Sequence, residues 1–283
     1  MEPIDKFAKA QTTPGEGKNN VYYSDEVIEY LNEVSDIRPY FKRIPMGTAR
    51  AKTMTIKQKE GIAAQIIGNA EVPRARDVER KIYIELHRNA SGYDINWDDK
   101  IENADNPNFE REEYNRALER LDLKERADCA AVMIAGAGSG TTVPAAAFDV
   151  QVVRDAITDF NSLPWNRRQK VKADTIFLSE KSFRKIIDSD QFKFIPELYK
   201  DVLLQGYIGN VIDGLQTVIF EELEDTIIIA AIKQEPLWLA ENTHSIVAVY
   251  DDPKYLTNSV DFRNDEEALC AYSQYLSAIQ IVP

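Results

Sequence analysis

The longest regular pattern in the chain lies between residues 108 and 135, where apolar positions recur with helical spacing and neither proline nor glycine intervenes. Pro107 suits a first helical turn, and the glutamates that follow it favour the positive end of a helix dipole. Gly136, Gly138 and Gly140 mark the end of the pattern. We therefore predict one helix over 108–135, about 42 Å long, with a charged first half and an almost wholly apolar second half.

Two extended segments precede this helix. Residues 51–68 and 78–88 show the alternation of apolar and polar positions that is typical of β-strands. The polar segment between them carries Arg74 and Arg76. The pattern predicts a long two-stranded hairpin with a charged tip. An isolated hairpin is only marginally stable in water, so we expect this one to lie on another surface.

The C-terminal half alternates short apolar strands with amphipathic helices, which indicates a compact α/β region and an α+β fold class for the whole chain. The predicted helices are 145–160, 180–187 and 196–204, and the predicted strands are 175–179, 217–221, 226–232 and 245–251. Residues 1–23 have coil-forming composition and precede a short amphipathic helix over 24–34.

Composition narrows the class of protein. The 283 residues are 44% hydrophobic and 29% charged, which is ordinary for a globular chain. A formal net charge of −13 argues against a protein that wraps nucleic acid, because phosphate neutralisation requires an excess of cations. Two cysteines do not make a disulfide framework, and the N-terminus shows no apolar stretch typical of a signal peptide. No apolar run is long enough for a membrane helix, so we expect a cytoplasmic protein with no membrane partner.

Candidate chemistry is sparse. His87 and His244 have no second ligand at metal-binding spacing, and the glycines after the long helix lack the Gly-Lys-Ser/Thr of a phosphate loop. Ser179 follows a strand but lacks the flanking glycines of a nucleophile elbow, so we interpret it as the cap of the next helix. We therefore predict a protein that is not an enzyme, with no catalytic residue, no cofactor and no metal.

Charge is distributed unevenly along the chain. Residues 36–88 hold 12 Lys/Arg against 6 Asp/Glu, whereas residues 91–125 hold 5 against 11. Opposite balances of +6 and −6 in consecutive stretches suggest that the hairpin of one copy pairs with the helix of another. The alternative is that both are solvated faces of a monomer. The inter-subunit hypothesis takes Arg74, Arg76 and Arg80 as donors and Glu110, Glu112 and Glu113 as acceptors.

The order of these elements resembles a known family. Residues 92–97 (GYDINW) ahead of the long helix, 173–179 (ADTIFLS) ahead of a helix, the turn-rich 206–214 (GYIGNVIDG) and 278–281 (AIQI) near the end carry the likeness. Together they are similar to major capsid proteins of tailed viruses, of bacteria or archaea, with the Hong Kong 97-type fold. The likeness covers nearly the whole chain as an order of elements, although each motif alone is weak.

The resemblance implies a division of the chain. It implies an N-terminal arm (1–45), an extended β-hairpin loop (46–80), a peripheral domain (81–140 and 261–283) that contains the long "spine" helix, and an α/β axial domain (141–260). It also implies self-assembly as hexamers and pentamers into an icosahedral virion shell around double-stranded DNA, built in the host cytoplasm. An acidic inner surface would contact that DNA only weakly.

The family also implies further partners. These are a portal, a decoration protein in some shells, and a scaffolding protein. Some family members carry a fused scaffolding region of about a hundred residues, and the 45 residues ahead of this hairpin are too few for one. We therefore expect a separate scaffolding protein.

Two other functions are compatible with the sequence. An encapsulin-type nanocompartment has the same fold and encloses protein cargo in place of DNA. An α/β enzyme with one long helix would instead be a monomer with hydrolase activity. Packaged DNA or a neighbouring portal gene would favour the capsid.

Overall fold

The computed structural model describes residues 20–24, 26–58, 78–103, 105–106, 108–138, 140–145, 148–163, 172–188, 214–252 and 257–282. The helices are α1 (Glu26–Val34), α2 (Trp97–Glu102), α3 (Phe109–Ala137), α4 (Val150–Ser162) and α5 (Glu180–Ile187). The strands are β1 (Asn20–Ser24), β2 (Lys42–Pro45), β3 (Ala51–Gln58), β4 (Val78–Glu85), β5 (His87–Asn96), β6 (Thr141–Pro144), β7 (Thr175–Leu178), β8 (Gln216–Ile219), β9 (Ile227–Ala231), β10 (Leu237–Glu241), β11 (Ser245–Asp252), β12 (Thr257–Cys270) and β13 (Leu276–Val282). Short 3₁₀ helices lie at Arg38–Tyr40 and Ser273–Tyr275.

The long helix confirms the strongest sequence prediction. α3 has 29 residues and begins after Asn108, but it continues through Gly136 and ends at Gly138, where φ is +64°. The predicted end at 135 is therefore two residues early. Gly136 is needed for packing, since a Cβ there would lie 2.7 Å from the Cys270 sulfur. The buried side of the helix carries Leu118, Leu121 and further apolar residues at helical spacing.

A six-stranded sheet forms the surface on which α3 lies. Its order is β1-β11-β12-β10-β2, and β5 pairs with β12 off this path. β12 and β5 run antiparallel from His87 opposite Glu266 to Asn96 opposite Thr257. Gly92 permits this close pairing, because a Cβ there would lie 2.7 Å from the Val260 carbonyl oxygen.

A five-stranded sheet in the order β6-β13-β9-β7-β8 forms a second layer with α4 and α5. The predicted strands in this region are confirmed to within two residues. The predicted helix 145–160 begins later, at Val150, because the Asp149 side chain caps it by accepting from the Val152 amide at 2.9 Å. The predicted helix 196–204 lies outside the described residues.

The hairpin of β3 and β4 is a separate two-stranded sheet, in register from Ala51 opposite Glu85 to Gln58 opposite Val78. Ile56 and Ile84 on one face are buried in a cluster with Trp238. Tyr83, on the other face, is 64% exposed. The root of the hairpin therefore lies on its own chain, which supplies the support that an isolated hairpin lacks.

The first part of the chain adds two strands to the six-stranded sheet, which we call the main sheet. β1 pairs antiparallel with β11, and β2 pairs parallel with β10. α1 buries Val27 and Leu31 against Leu118 of α3. Residues from 20 to 45 are thus held by the main sheet and α3.

Candidate assembly surface and buried charge cluster

The donors of the inter-subunit hypothesis fall at the hairpin. Arg80 lies on β4, opposite Ile56, with an exposed side chain. Arg74 and Arg76 lie outside the described residues. Burial raises the pKa of the Cys270 thiol, and the charge of Arg80 opposes this shift. Ile56, opposite Arg80, belongs to a cluster with Leu269 and Tyr272, so Arg80 lies on the side of the hairpin nearest the end of β12.

The acceptors lie in the first turns of α3. Glu110 is 3.5 Å from Lys100, and Glu113 accepts from Arg116 at 2.5 Å, so both carboxylates already have a partner within the chain. Glu112 is exposed. Burial raises the pKa of Tyr93 to about 12, and the nearby charges of Glu110 and Glu113 contribute to the shift.

Arg80 and the three acceptors lie at opposite ends of α3. Cys270, which Arg80 influences, packs against Gly136 near the C-terminus of the helix. From Glu110 to Gly136 the helix rises about 39 Å. Arg80 therefore does not reach the glutamates of its own chain, and a pairing between these groups requires a second copy.

Part of the charge imbalance in the sequence is neutralised inside the subunit. Arg38 is buried, Arg43 pairs with Glu241, and Arg88 pairs with Asp265 at 2.7 Å. These cations belong to the main sheet and its surroundings instead of the hairpin surface. The basic character of the hairpin is consequently weaker than the count over residues 36–88 suggested.

An exposed apolar pair lies beside the acceptors. Trp97 and Ile101 are 58% and 59% exposed, one helical turn apart on α2. The start of α2 is fixed by a capping box between Asn96 and Asp99. In it, the backbone N–H of Asn96 donates to the Asp99 carboxylate at 2.9 Å. The inter-subunit hypothesis from the sequence did not include this pair, although Trp97 is the last residue of the GYDINW motif (92–97).

The densest polar arrangement of the described residues is buried beneath α3. Arg38 is 4% exposed, and its guanidinium forms a fork on Glu125 of α3, with Nε–Oε1 at 2.8 Å and Nη2–Oε2 at 2.5 Å. It also donates to Asn32 at 2.7 Å and to Glu241 of β10 at 3.1 Å. Burial alone would lower the pKa of Arg38, but the hydrogen bond and charge of Glu125 raise it above its usual value.

Glu266 of β12 completes this cluster. Its two carboxyl oxygens accept from Asn89 at 2.8 Å and from Asn264 at 2.5 Å, and Oε2 lies 3.7 Å from Arg38. Burial raises the pKa of Glu266 well above its usual range, and the neighbouring Glu125 raises it further. We call Arg38, Glu125, Glu241 and Glu266 the Arg38 cluster.

Sequence analysis missed the Arg38 cluster, although one signal for it exists. Glu125 lies four residues after Leu121 and four before Cys129, so it falls on the buried side of α3. A carboxylate among apolar positions requires a buried cation as a partner. The partner lies 87 residues away in sequence, and no local pattern identifies it.

Ser179 and His87, the sequence candidates for a chemical role, have structural roles. Ser179 caps α5 and donates to Asp225 at 2.8 Å, which confirms the interpretation of Ser179 as a helix cap. His87 lies on β5, 3.3 Å from Glu267. Within the described part of the chain, no group of three or more His, Cys, Asp or Glu residues is arranged to hold a metal ion. The described helices include none that is long and apolar enough to cross a membrane.

Sequence comparison gives no relative: no protein-family model and no curated protein sequence matches the chain. Comparison with solved structures finds similar proteins. The capsid of Myoviridae phage XM1 superposes with a TM-score of 0.62 at 11% identity, over 97% of this chain and 98% of that chain. The acidic stable capsid structure of Helicobacter pylori bacteriophage KHP30 gives 0.63 at 11% identity, over 98% and 97%.

A virus-like particle from Pyrococcus furiosus is also similar, with a TM-score of 0.59 at 7% identity over 91% of this chain and 97% of that chain. These likenesses extend over nearly the whole of each chain, so they concern the complete architecture and not a shared fragment. They confirm the predicted fold class. The chain has the Hong Kong 97-type fold of tailed-phage capsid proteins.

Proposed function

We propose that the protein is a major capsid protein of a tailed virus, which self-assembles as hexamers and pentamers into an icosahedral shell around double-stranded DNA. One observation carries the proposal: the structural likeness to phage capsids covers nearly all of both chains. A chain whose whole length is used by the capsid fold has no additional described domain for another activity. The role is structural and not catalytic.

The proposed division of the chain follows from this role. The N-terminal arm (1–45), the extended loop (46–80) and the axial domain (141–260) flank a peripheral domain made of residues 81–140 and 261–283. In support, β5 of the peripheral domain pairs with the part of β12 in the same domain, from Gly92 opposite Asp261 to His87 opposite Glu266, beneath α3. The arm and the loop are the segments proposed to contact neighbouring copies.

The proposed contact between copies joins the hairpin to the first turns of α3. Arg74, Arg76 and Arg80 are the donors, and Glu110, Glu112 and Glu113 are the acceptors. The distance between Arg80 and the acceptors within one chain supports an intermolecular pairing. Trp97 and Ile101 add exposed apolar area beside the acceptors, and apolar area contributes more to affinity than exposed ion pairs do.

The remaining partners are proposed from the same function. A separate scaffolding protein and a portal would direct assembly in the host cytoplasm, and a decoration protein would bind the finished virion in some shells. The net charge of −13 favours weak contact with packaged DNA, because like charges repel and no cation excess neutralises the phosphates.

Electron microscopy of the purified protein tests the assembly proposal. We expect closed shells, or at least hexamers and pentamers, at micromolar concentration. A compact monomer under all conditions of salt, and in the presence of a scaffolding protein, would contradict it. An encapsulin-type nanocompartment is the second candidate, because it has the same fold and one similar structure is described as a virus-like particle and not as a phage capsid. Particles from the native source that contain protein cargo and no DNA would favour that candidate.

Charge reversal tests the proposed contact. We expect Arg74→Glu combined with Arg76→Glu to impair assembly at low salt, where screening is weakest, while the subunit stays folded. Each exposed pair contributes only about 0.2–1 kcal/mol, but the pairs repeat around a shell. Adding Glu112→Lys and Glu113→Lys to the same chain should partly restore assembly. The fraction of protein in particles, measured by sedimentation, is the readout.

A matched control uses two cations elsewhere. Arg184 and Lys185 are exposed on α5, and reversing both to glutamate changes the net charge by the same amount. We expect this control to assemble more efficiently than the hairpin variant. Equal impairment of both would attribute the effect to net charge, and normal assembly of the hairpin variant would refute the contact.

A further inference from the structure

The Arg38 cluster joins four separate elements of the subunit. Arg38 comes from the Arg38–Tyr40 3₁₀ helix, Glu125 from α3, Glu241 from β10 and Glu266 from β12. All four side chains are buried. The cluster therefore connects the segment that follows α1 to the long helix and to the centre of the main sheet.

The charges of the cluster do not balance if every carboxyl group is ionised. One buried guanidinium faces three buried carboxyl groups, and Arg43 adds a second cation only at the exposed side of Glu241. An uncompensated buried carboxylate is costly, and such a group usually takes up a proton. One carboxyl group of this cluster is therefore expected to be neutral.

Hydrogen bonding identifies that group. Glu125 receives the full fork of Arg38, and Glu241 receives donors from Arg38 and Arg43. Glu266 receives two neutral amides, from Asn89 and Asn264, and lies 3.7 Å from the nearest guanidinium nitrogen. Amide donors satisfy the oxygen lone pairs without supplying charge. Glu266 is thus the carboxyl group with the least compensation.

We propose that the Arg38 cluster is a proton-dependent latch: a proton held by Glu266 keeps the four elements joined, and its loss as the pH rises loosens them. With that proton in place, Glu266 adds no second buried negative charge beside Glu125. Without it, two carboxylates face each other in a buried site and repel. The device depends only on the fold and does not require the proposed capsid function.

A cavity of about 280 Å³ gives the latch access to water. Glu125 and Glu266 line its inner side, and His87, Lys124, Asp128 and Glu267 line its mouth. The charged groups that face Glu266 from the surrounding elements are Arg38, Arg43, Lys124, Glu125, Asp128, His87, Arg88, Glu241, Asp265 and Glu267. Lys124 pairs with Asp128, and His87 lies 3.3 Å from Glu267, so each has its own partner at the mouth.

The sign of the pH dependence follows from linkage. Burial, and then Glu125, raise the pKa of Glu266 in the folded state, so the folded chain binds this proton more tightly than the unfolded chain does. The contribution to stability is complete below the ordinary glutamate pKa of about 4.3 and is lost as the pH rises toward the raised value. The folded protein should therefore lose stability from acidic to alkaline pH through this group.

Glu266→Gln tests the latch in the full-length protein. The glutamine side chain is neutral like the protonated carboxyl group and does not titrate, but its one carbonyl oxygen can accept from only one of Asn89 and Asn264. We therefore expect the variant to carry a constant loss from the missing asparagine contact, and its melting temperature relative to that of the wild type to rise steadily as the pH rises. A difference between the two proteins that does not depend on pH would overturn the proposal.

Two matched variants separate the latch from other effects. Glu125→Gln removes the carboxylate that holds Arg38, so we expect it to lower the melting temperature at every pH. His87→Gln removes the imidazole beside Glu267 at the mouth of the cavity, and we expect the slope of the wild type to remain. A slope that disappears with His87→Gln would assign the pH dependence to His87 and overturn the proposal.

Two further measurements detect the proton and the loosening directly. Infrared spectroscopy should show the carbonyl stretch of a buried protonated carboxylic acid in the wild type and its loss in Glu266→Gln. Hydrogen exchange at alkaline pH should be faster in the wild type than in Glu266→Gln over residues 122–130. The comparison at one pH cancels the intrinsic exchange rate. Persistence of the infrared band in the variant, or equal exchange in both proteins, would overturn the latch.

Discussion

Replacing Arg38 with alanine is expected to destabilise the subunit more than any single substitution at its surface. The change leaves Glu125, Glu241 and Glu266 buried without their common cation. Removing one partner of a buried ion pair typically costs about 3–5 kcal/mol. Since whole domains are stable by only about 5–15 kcal/mol, we expect a large fall in the urea midpoint or a failure to accumulate folded protein.

Arg126→Ala, on α3 next to Glu125, provides the control. Arg126 pairs with Glu222 at 2.7 Å and with Asp36 at 3.0 Å, so it also makes two ion pairs, but its side chain is partly exposed. Water can solvate the carboxylates that remain, and we expect a loss of about 1 kcal/mol. Similar losses for the two arginine variants would contradict the assignment of Arg38 as a buried ion that holds the fold together.

Acidic pH should soften the effect of Arg38→Ala. Once the guanidinium is absent, protonation is the remaining way to neutralise the three carboxyl groups. The difference in free energy of unfolding between wild type and variant should therefore shrink as the pH falls. Urea titrations at acidic and neutral pH measure this difference. A difference that stays constant would indicate that lost packing of the arginine stem, and not charge, accounts for the destabilisation.

The sequence predicted those elements whose own residues carry enough apolar pattern. α3 was identifiable because nearly thirty residues share one helical period without interruption. β7 and β9 were identifiable because each is a continuous apolar run in a sheet covered by helices. In these elements local preference and tertiary environment agree, so local reasoning succeeded.

β5 shows why other elements were missed. Its sequence, HRNASGYDIN, is polar and contains a glycine, so no strand pattern appears. It is a strand because ten of its residues pair with β12, from His87 to Asn96, and because α3 packs across it. Its partners lie more than 160 residues later in the chain, and only the folded structure brings the two together.

The candidate contact surface was predictable only in part, because ion pairs also join residues that lie far apart in the sequence. Counting charges along residues 36–88 treated every cation as available at the hairpin. The structure instead uses Arg38, Arg43 and Arg88 to neutralise carboxylates of β10, β12 and α3. Ion pairs between distant elements change the free charge of a segment, and a sequence count does not register them. Arg80 is the predicted donor that remains exposed in the described residues.

Replacing Gly140 with alanine is the second change for which we expect a large effect. The residue has φ of +39°, and a Cβ there would lie 1.7 Å from the carbonyl oxygen of Ala278. That contact is between backbone groups, so no side-chain rotation relieves it. β6 begins at the next residue and pairs in parallel with β13, from Thr141 opposite Ile279 to Pro144 opposite Val282. The substitution therefore displaces the start of β6 from the edge of its sheet.

Gly138→Ala is the matched variant two residues earlier. Gly138 has φ of +64°, but a Cβ there would meet nothing within 4 Å. Its ψ of −152° places it in a backbone region that is essentially restricted to glycine, so Gly138→Ala should lose about 1–3 kcal/mol to backbone strain alone. Gly140→Ala combines a positive φ with the backbone overlap, so we expect it to lose more than Gly138→Ala does, with faster hydrogen exchange across Ile279–Val282. Equal losses in the two variants would mean that the turn moves freely and that β6 does not depend on the close approach at Gly140.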